Sequence, residues 1–189
     1  GYRSILNGTN LKNVFEEVVE LRKECEVPVV FMLYYNTVMH YGIEAFVKKC
    51  MEVGVDGFII PDLPYEEQFE IKEYLKNEDA PFLIPLVSPV SKQRIPMLLN
   101  DAKGFVYCVS AMGVTGQSGE FYQEVNQYLQ EVKQISTIPV MMGFGITSAK
   151  DVLNQKEYVD GFVIGSAFIK LMESCGYDIE EAKKYVKKF

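Results

Sequence analysis

An apolar run ends in a glycine-bearing segment at Ile138-Pro139-Val140-Met141-Met142-Gly143-Phe144-Gly145-Ile146-Thr147. A second apolar run, Phe162–Ile164, is followed in the same way by Gly165-Ser166. Short, continuously apolar runs of this kind predict strands that are buried on both faces. Where such a strand gives way to a helix, bare backbone N–H groups and the helix N-terminus can converge on an anion. The two segments therefore predict a phosphate-type binding site.

Six strand-like runs recur along the chain, and two kinds of start alternate strictly between them. Three begin with X-Pro and three with Gly-Phe: Val27–Leu33, Gly57–Ile60, Ala80–Ile84, Gly104–Tyr107, Ile138–Met142 and Gly161–Ile164. Two of the Gly-Phe runs belong to closely similar hexapeptides, Val55-Asp56-Gly57-Phe58-Ile59-Ile60 and Val159-Asp160-Gly161-Phe162-Val163-Ile164. That similarity favours an internal duplication.

Helical patterns separate the strands. An apolar stripe over Leu11–Val19 follows a candidate N-cap at Asn10, and another over Ile43–Met51 precedes a candidate C-cap at Gly54. Pro64 is expected at the first position of a further helix. Strand and helix that alternate six times predict an α/β fold with a parallel sheet and right-handed crossovers. In a barrel of this kind, the loops after the last two strands are the usual phosphate site.

Composition limits the class of protein. The 189 residues are 48% hydrophobic, which is enough for one sizeable core, and we expect a single domain over residues 1–189. Nineteen Lys and Arg against 26 Asp and Glu give a net charge of −7, which argues against nucleic acid or an anionic membrane as the main partner. No apolar stretch approaches the ~20 residues that span a bilayer, and we expect neither a membrane span nor a signal peptide. Four widely spaced cysteines and one histidine favour free thiols, a cytoplasmic location and no metal centre.

Several motifs, taken together, resemble the tryptophan synthase alpha subunit family. They are Met32-Leu33-Tyr34-Tyr35-Asn36, Gly54–Pro64, Gly104–Ser110, Gly113-Val114-Thr115-Gly116, Gly143–Ile146 and Gly165-Ser166-Ala167, in family order across essentially the whole chain. The resemblance implies a TIM (β/α)8 barrel and a carbon–carbon lyase of tryptophan biosynthesis that cleaves indole-3-glycerol phosphate to indole and glyceraldehyde 3-phosphate. It also implies no cofactor in this chain and an α2β2 complex, in which a beta subunit that contains pyridoxal phosphate receives the indole.

The resemblance also assigns site residues. The phosphate-binding set is Gly116, Gly143, Phe144, Gly145, Gly165 and Ser166, and the substrate-lining set is Tyr107, Thr115, Met32 and Tyr34. In the family arrangement Tyr107 lies beside the indole ring and Thr115 belongs to the mobile loop that closes over the substrate. Met32 and Tyr34 line the site or approach the beta subunit. The alternatives are a core tyrosine that lines the barrel at position 107, and ordinary turns at the glycines.

The family's two catalytic carboxylates, a glutamate at the end of strand two and an aspartate on the following loop, have no counterpart in this sequence. Cleavage needs an acid at the indole carbon and a base at the ring nitrogen and glycerol hydroxyl, and such groups typically contribute about 10²–10⁴-fold each. Asp62 is a candidate substitute, although Asp62-Leu63-Pro64 is equally typical of a turn or a subunit contact. Ser88 and Ser110 end strands without a neighbouring histidine, which argues against nucleophilic catalysis. We expect absent or impaired lyase activity.

About six βα units would leave an eight-stranded barrel incomplete or open, so the chain is expected to be truncated relative to the family. The strands Val29–Leu33 and Phe162–Ile164 would then lie at unpaired edges, which favour self-association. Two other functions stay open. One is another phosphate-binding barrel enzyme, such as a sugar-phosphate isomerase or epimerase, and the other is a non-catalytic module that binds phosphate ligands or a beta subunit. The Gly-Val-Thr-Gly and Pro-Asp-Leu-Pro segments favour the alpha subunit over the isomerase.

Overall fold

The computed structural model describes residues 8–109, 119–143 and 145–188, and it has two compact units. The first unit ends at Ile84 and the second begins at Pro85. In both units short parallel strands alternate with helices, as the sequence predicts. The assignment of residues 1–189 to one domain stays a prediction.

The first unit is built on a three-stranded parallel sheet in the order β1-β2-β3. Its elements are α1 (Leu11–Arg22), β1 (Val30–Met32), α2 (Tyr35–Tyr41), α3 (Ile43–Val53), β2 (Gly57–Ile59), a 3-10 turn (Tyr65–Glu67), α4 (Phe69–Lys72) and β3 (Phe82–Leu83). The predicted caps are confirmed, because the Asn10 side chain accepts from the Asn13 N–H and Gly54 ends α3 at φ 81°. The aromatic side chains of Phe15, Phe46 and Phe58 form the centre of its core.

The second unit is built on a four-stranded parallel sheet in the order β4-β5-β6-β7. Its elements are β4 (Leu86–Val87), a 3-10 helix (Pro89–Arg94), α5 (Ile95–Leu99), β5 (Val106–Val109), α6 (Gly119–Ile135), β6 (Val140–Gly143), a 3-10 helix (Ala149–Val152), β7 (Gly161–Val163), α7 (Ser166–Ser174) and α8 (Ile179–Val186). Its core includes Leu129 and Val132 of α6 packed with Val140 and Met142 of β6. Helix α6 therefore covers one face of the sheet.

Two details of the sequence prediction are wrong. One strand is expected over Ala80–Ile84, whereas the structure has β3 there, which pairs with β2, and an additional short strand, β4, beyond it, which pairs with β5. Pro85 lies between them and has no N–H to donate, which interrupts a continuous ladder. Pro64 is extended, at φ −60° and ψ 149°, and immediately precedes the 3-10 turn instead of beginning a helix. Within the described residues there are thus seven strands, against six expected.

Asp56 connects three segments at the start of β2. Its Oδ2 accepts from the Val29 N–H at 2.7 Å and from Arg22 Nη2 at 2.7 Å. The same guanidinium donates to the Gly54 carbonyl, at 3.0 Å from Nε. The carboxylate therefore ties the start of β2 to the residue before β1 and to the last residue of α1.

Asp160 occupies the corresponding position before β7 and makes the corresponding contacts. Its Oδ2 accepts from the Val140 N–H at 2.7 Å, and its carboxylate pairs with the Lys133 ammonium on α6. Because Lys133 and the Val140 N–H both stabilise the charged form, the pKa of Asp160 is lowered from its ordinary value. The two similar hexapeptides thus share a structural role, which is to fasten a strand to the preceding strand and helix.

Four strands lie at the ends of the two sheets, and each pairs with one strand within the described ranges: β1 and β3 pair with β2, β4 pairs with β5, and β7 pairs with β6. Two of them, β1 and β7, are the strands that the sequence places at edges. Whether the barrel is incomplete stays a prediction. No helix in the described part of the chain combines the length and the apolar character needed to cross a bilayer.

Candidate functional site

The candidate anion site lies where β6 and β7 end. These strands are adjacent and parallel, and Gly143 stands opposite Val163 in the register. The segment that follows Gly143 and the segment Gly165-Ser166 therefore leave the same edge of the sheet. The structure thus brings together two of the segments that the sequence assigns to phosphate binding.

The N-terminus of helix α7 is exposed and has open space beside it. Gly165 is its N-cap, makes no side-chain cap bond and is exposed, and a Cβ added there would meet no atom within 4 Å. Ile169 N donates to the Gly165 carbonyl at 3.1 Å, so the N–H groups of the residues between them precede the first intrahelical bond. Exposed N–H groups at the positive end of a helix dipole suit an anion.

The loop after β6 is held by Asp151. Its Oδ2 accepts from Thr147 N at 2.9 Å, Thr147 Oγ1 at 2.7 Å and Ser148 N at 2.8 Å. These bonds, led by the one from the Thr147 hydroxyl, lower the pKa of Asp151. Gly145 has φ +77°, a left-handed conformation that favours glycine. The sequence analysis missed Asp151, although Ser148 and Asp151 have the spacing of a capping box.

Tyr107 packs directly against Gly143. The tyrosine is 6% exposed, and a Cβ added to Gly143 would lie 2.3 Å from Tyr107 Oη and 2.6 Å from Cζ. Only a glycine leaves room for the ring at this distance. Burial raises the pKa of Tyr107, so the phenol stays protonated near neutral pH and can donate a hydrogen bond. Gly143 therefore has a packing reason to be glycine, in addition to its predicted role in phosphate binding.

The remaining described candidates belong to the first unit. Met32 and Tyr34 are 53% and 66% exposed at the end of β1 and just beyond it. Asp62 Oδ1 accepts from the Tyr35 N–H at 2.8 Å, and Tyr35 Oη donates to Glu70 at 2.8 Å. Asp62 thus holds the first residue of α2, which supports its interpretation as a loop residue.

Three predicted site residues, Thr115, Gly116 and Phe144, lie outside the described residues, as does Ser110. Ser88 is described, and its hydroxyl is hydrogen-bonded to that of Ser91 at 3.1 Å. No group of three or more His, Cys, Asp or Glu side chains suited to a metal ion occurs among the residues that the structure describes.

The four cysteines are free thiols. Burial raises the pKa of Cys50 and of Cys108 to about 12, so these two thiols are not reactive nucleophiles.

Parallel α/β architecture with a candidate anion site at the carboxyl ends of adjacent strands is typical of one class, the α/β enzymes that bind phosphate esters. Comparison with known families is more specific. The model of the family "Tryptophan synthase alpha chain" matches residues 1–189. The chain belongs to the tryptophan synthase alpha chain family.

Individual relatives agree with this assignment. The tryptophan synthase alpha chain of Lachnospira eligens is 58% identical over 190 aligned residues, which cover 100% of this chain and 72% of the relative. That of Alkaliphilus metalliredigens is 39% identical over 189 residues, or 98% and 71% of the two chains. This chain therefore spans somewhat under three quarters of the length of these relatives.

Solved structures give the same fold. The tryptophan synthase a2b2 complex of Pyrococcus furiosus contains a chain that matches with a TM-score of 0.87 at 32% identity, over 99% of this chain and 76% of that one. Tryptophan synthase subunit alpha from Campylobacter jejuni matches with a TM-score of 0.84 at 28% identity, over 98% and 73%. The predicted family and its TIM-barrel fold class are confirmed.

Proposed function

We propose that this chain is a tryptophan synthase alpha chain whose ligand is indole-3-glycerol phosphate. The observation that carries the proposal is the open N-terminus of α7 beside the Asp151-held loop, at the ends of two adjacent strands. Backbone N–H groups at the N-terminus of α7 match the oxygen atoms of a phosphate ester, whereas the Thr147 and Ser148 N–H groups of the loop already donate to Asp151. Membership of the family favours this ligand over the sugar phosphates of an isomerase or epimerase.

The phosphate would be held by Gly143, Gly145, Gly165 and Ser166, together with Gly116 and Phe144. Gly165 supports the assignment best, because the space next to it is open to a ligand. The buried and protonated Tyr107 would border the indole ring and act as a positioning group, not as a base. Thr115, Met32 and Tyr34 keep the lining or subunit-contact roles that the resemblance implies.

Cleavage of the carbon–carbon bond needs acid–base groups. The family's catalytic glutamate and aspartate have no counterpart in residues 1–189. Asp62 Oδ1 is engaged with the Tyr35 N–H, which fixes the carboxylate at the start of α2 and supports a structural role over that of the missing base. We therefore propose that residues 1–189 bind the phosphate ester but turn it over poorly by themselves. The partner would be a tryptophan synthase beta subunit that carries the pyridoxal phosphate, in cytoplasmic tryptophan biosynthesis.

The test is indole-3-glycerol phosphate binding and turnover by the 189-residue chain, with and without a beta subunit. We expect measurable binding and turnover at least about 100-fold below that of an intact family member, since one positioned acid or base contributes about 10²–10⁴-fold. Turnover equal to that of an intact enzyme would refute the impairment. Absence of binding would refute the phosphate site itself.

A charge variant separates binding from folding. Ser166→Asp places a carboxylate at the N-terminus of α7. There its charge interacts favourably with the helix dipole and stabilises the helix, but it repels a phosphate. We expect phosphate-ester affinity to fall at least about tenfold, with a melting temperature that is unchanged or raised. Ser174→Asp, at the other end of the same helix, is the matched control and should leave the affinity unchanged.

A further inference from the structure

Tyr185 of α8 contacts both segments of the candidate anion site. Its Oη donates to the Thr147 carbonyl at 3.1 Å, on the loop after β6. Its ring centroid lies 5.9 Å from that of Phe168, with 45° between the ring planes. Phe168 is in the first turn of α7, whose N-terminus forms the other segment. One side chain therefore connects the two.

The contact at Thr147 completes a set of bonds around that residue. Asp151 accepts from the Thr147 N–H and hydroxyl, while Tyr185 donates to its carbonyl, so three polar groups of Thr147 have partners from outside it. Burial and, after it, the nearby Asp151 carboxylate raise the pKa of Tyr185. The phenol therefore remains a donor through the neutral range. Asp151 thus holds the N–H and hydroxyl of Thr147, and Tyr185 holds its carbonyl.

The contact at Phe168 lies beside a cavity and not inside a closely packed core. A cavity of about 310 Å³ is lined by Phe162, Ile164, Phe168, Tyr185 and Val186. Helix α8 has no fully buried side chain, and Val186 is 64% exposed. The ring contact between Phe168 and Tyr185 therefore joins the first turn of α7 to α8 at the wall of this cavity.

We infer that Tyr185 is a positioning residue that sets the spacing between the Thr147 loop and the N-terminus of α7, and thereby the affinity for phosphate. The inference rests on the proposed function of this site. A phosphate that is bound by donors from two segments loses hydrogen-bond geometry on both when their separation changes, and displacements of about 1 Å are enough to matter. Neither the motif comparison nor the strand pattern assigns a role to Tyr185.

The experiment is calorimetric titration of the 189-residue chain with inorganic phosphate and with glycerol 3-phosphate. Tyr185→Phe keeps the ring but removes the bond to Thr147, and Tyr185→Leu removes both contacts. A neutral hydrogen bond corresponds to about 0.5–1.5 kcal/mol, so we expect Tyr185→Phe to weaken phosphate affinity by about 2- to 12-fold. Tyr185→Leu should weaken it further.

The matched controls are Tyr177→Phe and Tyr177→Leu, because Tyr177 is 68% exposed between α7 and α8. They should bind phosphate as the unmodified chain does. Melting temperatures without ligand separate positioning from folding. If the Tyr185 variants melt lower but bind phosphate unchanged when folded, the residue is structural only and the inference is overturned.

The titrations distinguish an incorrect phosphate site from an incorrect role of Tyr185. If the unmodified chain binds neither phosphate probe at millimolar concentration, the proposed phosphate site is wrong and the inference is wrong with it. If the unmodified chain binds and both Tyr185 variants bind equally well, the inference alone is overturned. Phosphate binding that is weaker in Tyr185→Phe and weaker still in Tyr185→Leu, with unchanged binding in the Tyr177 variants, supports both the phosphate site and the role of Tyr185.

Discussion

Replacement of Gly143 by alanine tests how β6 and Tyr107 are fitted together. The new Cβ would lie 2.3 Å from Tyr107 Oη, 2.6 Å from Cζ and 2.8 Å from Cε2. Ordinary contacts of a Cβ begin at about 3.4 Å, so the nearest atom, Tyr107 Oη, must move by about 1.1 Å to accept the methyl group. Tyr107 is 6% exposed, which leaves the ring little free space in which to move.

The magnitude follows from two opposing effects. Extra atoms in a closely packed site typically cost about 1–3 kcal/mol, whereas alanine reduces the entropy of the unfolded chain and returns about 0.4–1 kcal/mol. We therefore expect the free energy of unfolding to fall by about 0–2.6 kcal/mol. Gly165→Ala is the matched control, because its Cβ would meet nothing within 4 Å, and it should leave the free energy of unfolding unchanged or raise it by up to about 1 kcal/mol.

Urea unfolding followed by far-UV circular dichroism measures the effect, since the chain has no tryptophan for fluorescence. Tyr107→Phe removes the nearest atom and Tyr107→Ala removes the whole ring. The cost of Gly143→Ala should therefore shrink partly in the first background and almost entirely in the second. A cost that is the same in all three backgrounds would refute the steric explanation, because the coupling energy would be zero.

Two further predictions concern Asp160, which fastens β7 to the preceding strand and helix, and the strands at the sheet edges. Because the pKa of Asp160 is lowered in the folded state, its stabilising contribution is complete above the unfolded value of about 3.9 and is lost as the pH falls through the lower folded value. Asp160→Asn should therefore reduce the free energy of unfolding at pH 7, and this reduction should shrink below about pH 4 when it is measured by urea unfolding. Asp79→Asn, at an exposed position, is the control and should leave the free energy of unfolding unchanged. A reduction for Asp160→Asn that is independent of pH would contradict this explanation. Since β1 and β7 each have one partner strand within the described residues, we also expect the 189-residue chain to self-associate at micromolar concentration in light scattering. A monomer with one sharp thermal transition would count against that expectation.

Local patterns in the sequence predicted much of the fold because they report local physics. The Asn10 cap, the Gly54 cap and the central strands follow from side-chain hydrogen bonding, left-handed backbone and continuous apolar runs. The division of residues 80–87 into β3 and β4 was missed, because it depends on which neighbour each short strand finds. Pro85 was the visible cue, since it cannot donate to a ladder.

The site shows where such patterns stop being informative. Gly143 and Gly165 look alike in sequence, each at the end of an apolar run, and both were assigned to phosphate binding. In the structure a Cβ at Gly143 would collide with Tyr107, whereas a Cβ at Gly165 would point into open space. Gly143 is thus required by packing and Gly165 is available to a ligand.

The contacts that hold the site come from residues that no motif marked. Asp151 is four residues from Thr147, and Tyr185 is 38 residues from it. A capping pattern can suggest the first contact, but the second depends on how α8 returns to the loop after β6. The bare N–H groups that suit phosphate supply the chemistry, and these supports set their spacing. Affinity should therefore respond to substitutions on α8 that never contact the ligand, which motif analysis alone would count as neutral.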